Sequence, residues 1–132
     1  MIGLDTNILA RFFTQDDAAQ SAQANRVVEL CSADHPGYIS IIVLAELFWL
    51  LEKTYKYSRG QQVALLGNML EVEDLKIESS DEARLAAKAF SRSKSVQLAD
   101  CLIGIRNAKA GCTTTKTFDR AAGKLAEFEL VR

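Results

Sequence analysis

The segment His35-Pro36-Gly37-Tyr38-Ile39-Ser40-Ile41-Ile42-Val43-Leu44-Ala45-Glu46-Leu47-Phe48-Trp49-Leu50-Leu51-Glu52-Lys53 places a turn, a short strand and an apolar helix in direct succession. His35-Pro36-Gly37 is the turn, Tyr38-Ile39-Ser40 the strand, and Ile41 to about Lys53 the helix. The same rhythm extends both ways. Upstream, Ile2-Gly3-Leu4 is a brief strand ending in Asp5, followed by a helix from Asn7 to Phe13 and another from about Asp17 to Cys31. The Asp16-Asp17 pair suits the positive end of that second helix. Downstream, Ser58 caps a helix to about Leu70, Leu75-Lys76-Ile77 is a strand, and Ser80 caps a helix to about Ser91. Leu98 to Ala110 is a further helix with Gly111 at its C′ position. Cys112 to Thr115 is a β-branched strand, Arg120 to Leu125 a short helix, and Phe128 to Val131 a closing edge strand.

Short strands alternating with helices predict an α/β fold, a parallel sheet of about four or five short strands covered on both faces. No linker interrupts the pattern, so residues 1–132 read as one domain. Ligands of such sheets gather at the carboxyl ends of the strands. Asp5 directly follows the first strand, and Asp119 lies just beyond the fourth.

Composition narrows the function classes. With 48% hydrophobic and 25% charged residues, the chain is of ordinary globular type. No apolar run reaches the roughly 18 residues of a membrane span. Met-Ile-Gly-Leu-Asp does not read as a signal peptide, and cytoplasmic residence is expected. Cys31, Cys101 and Cys112 are odd in number and lack CxxC spacing, which fits a reducing compartment and argues against a zinc site. The one histidine, His35, sits in a turn, so nucleophilic catalysis built on histidine is discounted. A net charge of −1 advertises no nucleic-acid binding by itself, although clustering four acids leaves the rest of the surface mildly basic.

Glu46 is the most informative residue. Its helix is apolar on almost every side and should be buried on more than one face. Burying an unpaired carboxylate costs several kcal/mol, so Glu46 must open onto a cleft, meet a cation, or be a partly exposed glutamate paired with a lysine or arginine. Asp100 begins a helix of similar character, where an acid also stabilises the helix dipole. Asp5 and Asp119 have their own local explanation as turn or cap residues. If the four converge, mutual repulsion calls for a cation. An oxygen-only set suits Mg²⁺ or Mn²⁺ rather than zinc. Such an ion can activate water and neutralise a phosphate in an in-line displacement.

The stretches Leu4-Asp5-Thr6-Asn7-Ile8-Leu9, Leu44-Ala45-Glu46, Leu98-Ala99-Asp100-Cys101-Leu102-Ile103 and Thr117-Phe118-Asp119-Arg120, in that order, resemble the PIN-domain family. The likeness is nearest to bacterial VapC-type toxins and spans essentially the whole chain. It implies an α/β/α sandwich with an acidic Mg²⁺ or Mn²⁺ site at Asp5, Glu46, Asp100 and Asp119, and polar supporting roles for Asn7 and Thr117. It further implies a metal-dependent endoribonuclease acting on tRNA or rRNA, a homodimer, and a cognate VapB-type antitoxin that holds it inactive. In one departure, Gln97 occupies a position where related sequences often carry an aspartate, which leaves the number of metals open. RNA needs basic contacts around an acidic pit, and Arg11, Arg92, Lys94, Lys116 and Arg120 lie close in sequence to the motif acids. The apolar Phe48-Trp49-Leu50-Leu51 run with Tyr55 and Tyr57 offers core and, in part, a partner surface. A catalytically silent RNA- or protein-binding module of the same fold is the alternative, and a DNA-directed nuclease would share the chemistry. A receiver or aspartyl phosphatase is disfavoured, because Asp5-Thr6-Asn7 has neither adjacent acids nor DxD.

Overall fold

A computed structural model describes residues 1–132. In chain order the elements are β1 (Ile2–Gly3), α1 (Thr6–Thr14), α2 (Ala18–Glu29), β2 (Gly37–Ile39), α3 (Ile41–Lys53), α4 (Arg59–Glu71) and β3 (Leu75–Ile77). Then come α5 (Ser80–Arg92), α6 (Leu98–Lys109), β4 (Thr115–Thr117), a 3₁₀ turn at Ala122–Lys124 and β5 (Phe128–Leu130). Every strand pairing is parallel. The architecture is the expected α/β one, helices flanking parallel strands. Hydrogen bonding divides the five strands into β1-β2-β3 and β4-β5. No helix is long and apolar enough to cross a membrane.

Ladders this short contribute few bonds, so side-chain burial must hold the layers together. One cluster of 18 buried residues does so, drawing Leu9 from α1, Ile39 from β2, Leu66 from α4, Phe90 from α5 and Leu102 from α6. From α3 it takes Leu44, Leu47, Phe48 and Leu51. Each such side chain contributes roughly 1.5–3 kcal/mol when fully buried. As expected, α3 is buried on more than one face, packing against α1, α4 and α6. Ile42, Glu46 and Trp49, spaced i, i+4, i+7, form an exposed stripe, with Ile42 79% and Trp49 50% accessible.

Helix starts follow their caps. Asp17 Oδ1 accepts from Gln20 N at 2.9 Å and begins α2, whereas Asp16 turns away to pair with Arg11 at 2.7 Å. At α3, Ser40 Oγ accepts from Val43 N and Glu78 Oε1 accepts from Ile41 N at 2.8 Å, so a carboxylate from the end of β3 faces the positive end of the helix. Ser58 and Gln61 form a reciprocal capping box on α4. Ser80 is not the cap of α5. The preceding Ser79 takes the boundary position with φ 51°, and its hydroxyl accepts from Arg106 instead.

Two boundaries near the C-terminus move. The fourth strand starts at Thr115 rather than Cys112, because residues 112–114 still complete the exit from α6 beyond Gly111, and ladder bonding begins with Thr115 N to Glu127 O at 2.8 Å. The short helix expected over Arg120 to Leu125 shrinks to one 3₁₀ turn, since Leu125 returns to extended backbone and leads into β5.

Candidate active site

Asp5 leaves the end of β1 as the N-cap of α1, its Oδ1 accepting from Thr6 N at 2.8 Å. Thr6 is buried, and its hydroxyl donates to Glu46 Oε1 on α3. The first and second motif acids are thus joined through one threonine. Asp100 sits half-buried in the first turn of α6, its Oδ2 accepting from Gln97 N at 3.4 Å. Asp119 follows β4, with Oδ1 accepting from Ala121 N at 2.9 Å and its own amide donating to Thr117 Oγ1 at 3.0 Å. Asp5 and Asp119 thus follow strands, while Glu46 and Asp100 stand on α3 and α6, which pack against each other.

Electrostatics ties the second pair together. Burial pushes the Asp100 carboxyl above the usual aspartate range, the Gln97 amide draws it down, and the negative charge of Asp119 pushes it up again. The neighbouring Cys101 thiol is pushed up to about 11, chiefly by burial and next by Asp100, so it is no nucleophile. None of the seven ion pairs in the protein involves Asp5, Glu46, Asp100 or Asp119. Four carboxylates held by neutral donors and unmatched by any lysine or arginine are a donor set suited to a hard divalent cation. The arrangement is open, however, since no three acidic, histidine or cysteine groups converge closely enough to hold an ion together.

The remaining sequence candidates divide. Thr117 positions the backbone of Asp119 rather than its carboxylate. Asn7 is exposed on α1 and lines a groove with Arg11, Gln20 and Gln23, and it is Thr6 that reaches Glu46. Gln97 caps α6 and lies in a small recess against Ala45 and Trp49 of α3 that Glu46 does not line. Arg11 is committed elsewhere, donating to Asp16, Gln20 and Tyr55, and Lys116 pairs with Glu129 across the β4-β5 ladder. Arg92, Lys94 and Arg120 are exposed and outside all ion pairs.

Two supporting residues escape a reading from sequence. Thr6 lies inside the Asp5-Thr6-Asn7 motif, but nothing there says which of Thr6 and Asn7 faces inward. Arg59 donates to Phe90 O at 3.0 Å and Val96 O at 2.6 Å, holding the loop that delivers Gln97 and Asp100. Its partners are more than thirty residues away, and no local signal points to them.

The PIN domain family model matches residues 2–127, and the chain belongs to the PIN-domain family. It is similar to a VapC ribonuclease of Aquifex aeolicus (strain VF5), 26% identical over 122 residues that cover 92% of this chain and 90% of that protein.

Proposed function

We propose that this protein is a metal-dependent endoribonuclease, the toxin of a toxin–antitoxin pair. The observation that carries the reading is the unmatched quartet, four carboxylates in family order that no basic side chain neutralises. Asp5 and Asp100 would hold Mg²⁺ or Mn²⁺ directly, with Glu46 and Asp119 completing the set directly or through water. Bound there, the cation would supply water activation and neutralisation of phosphate charge. The chain's own groups do the positioning. The Thr6 hydroxyl fixes Glu46 Oε1, the Thr6 amide fixes Asp5 Oδ1, and the Ala121 amide fixes Asp119 Oδ1. In each of these three the second carboxylate oxygen is left free for a ligand. Burial and the negative charge of Asp119 push the Asp100 carboxyl upward, and a divalent cation held there would offset that repulsion.

RNA as substrate is supported by the similarity to a VapC ribonuclease. The same reading brings a VapB-type antitoxin, a homodimer and a cytoplasmic location. The Ile42-Glu46-Trp49 stripe is exposed apolar surface at the site that a protein partner would cover. A catalytically silent binding module has one observation in its favour, the lack of three converging carboxylates.

The test is digestion of total bacterial RNA by purified, antitoxin-free protein with Mg²⁺ or Mn²⁺, with new ends mapped by sequencing. New ends at a few sites, lost in EDTA and in Asp5→Asn, establish the nuclease. No new ends from folded protein favour the silent module.

A further inference from the structure

The last turn of α5, the loop after it and the 3₁₀ turn enclose a cleft of about 560 Å³ that the carboxylates do not line. Its charged rim consists of Lys88, Arg92 and Lys124, opposed only by Glu127, with Ser93 and Ser95 adding hydroxyls. All three basic side chains are outside every ion pair, and Lys94 and Arg120, equally unpaired, adjoin the cleft in sequence. Three cations facing a single carboxylate around one concavity leave a positive surplus, and a polyanion relieves their mutual repulsion.

The cleft also abuts the acids. Ala121 lines it, and the Ala121 amide is the donor that Asp119 Oδ1 accepts at 2.9 Å. One residue thus borders both places. On the other side, the loop carrying Ser93 and Ser95 runs within five residues into Asp100. Resting on the nuclease reading above, we propose that this cleft carries the sugar–phosphate backbone of single-stranded RNA on one side of the bond to be cut. Lys88 and Lys124, which no sequence motif marks, become substrate contacts beside Arg92. A single strand is the form this edge fits. Phe118, 84% exposed and adjacent to Asp119, offers a flat apolar face to an unstacked base, which a duplex keeps inside its stack.

The test measures binding apart from cleavage. A fluorescein-labelled single-stranded RNA dodecamer is titrated by anisotropy at several salt concentrations against the protein in an Asp5→Asn background. Adding Lys88→Ala, Arg92→Ala and Lys124→Ala is expected to weaken binding and to flatten the plot of log K against log salt. The slope should fall by about 2, at roughly 0.7 for each phosphate of a single strand that is no longer neutralised. A control with Arg26→Ala, Lys76→Ala and Arg132→Ala removes the same charge from residues outside the cleft and should leave the slope near that of the parent. Equal slopes for the cleft variant and the parent, with thermal melts unchanged, overturn the proposal. So does an equal fall in both triple variants, which marks a net-charge effect. Cleavage by the wild-type protein is scored separately, so a lost nuclease reading and a lost cleft are told apart.

Discussion

Replacing Arg59 by Met should destabilise the protein by about 3 kcal/mol. The guanidinium donates to Phe90 O and Val96 O, and its central carbon lies 3.8 Å from the centre of the Phe90 ring. Hydrogen bonds from a charged donor contribute about 1.5–3 kcal/mol each, and the ring contact about 1 kcal/mol. Against these stands the cost of drying a cation, reduced here because the side chain stays 20% exposed, and burial does push the guanidinium pKa down. The balance is near 3 kcal/mol, and Met preserves the packing of the stem, so the loss reports the polar head. At this chain length that corresponds to about 10 °C in Tm. Urea unfolding at neutral pH measures it, with an unchanged m-value as the two-state control. Arg59→Lys should recover less than half, because a point charge cannot reproduce the planar fork that serves two carbonyls. A loss below about 1 kcal/mol in Arg59→Met would refute the reasoning and release Arg59 from its role in fixing the loop before Asp100.

Gly104→Ala on α6 should cost roughly 1–3 kcal/mol by overpacking, since a Cβ there would stand 2.6 Å from Phe128 Cε2 and 3.0 Å from Glu127 Cβ; chemical denaturation reads it. In EDTA, Asp100 binds its proton more tightly folded than unfolded, so stability falls as pH rises from the ordinary aspartate value of 3.8 through the raised folded value. Asp100→Asn should remove that fall and be the more stable protein at neutral pH, while losing RNA cleavage. The Asp16 carboxyl, held at about 2 by the Arg11 guanidinium, stabilises the fold above its unfolded value and loses that contribution as pH falls through about 2. Carbon-detected NMR should show its titration returning toward 3.8 in Arg11→Gln.

What could be read from the chain was local. Ser58, capping its helix, and the strand Leu75-Lys76-Ile77 lie where their own residues dictate, because caps and short β-prone runs act over a few positions. Where an element is ended by a distant partner, local reading slips. Nothing in Cys112-Thr113-Thr114 reveals that β5 first becomes available at Thr115. The apolar α3 gave burial without direction, and only packing shows that Ile42, Glu46 and Trp49 share the open face. Arg11 illustrates the same limit for charge. Its nearness to Asp5 in sequence made it a substrate candidate, yet on the helix it turns toward Asp16 and Tyr55. The four acids were visible because family motifs mark them, whereas the cleft of Lys88, Arg92 and Lys124 joins residues 36 positions apart and carries no motif.

The central claim is that Asp5, Glu46, Asp100 and Asp119 close on a divalent cation, and anomalous scattering from crystals soaked in Mn²⁺ tests it most directly. An anomalous peak bounded by these four carboxylates is expected, absent from Asp5→Asn crystals. A wild-type map without a peak there, at Mn²⁺ concentrations that populate other sites, would contradict it.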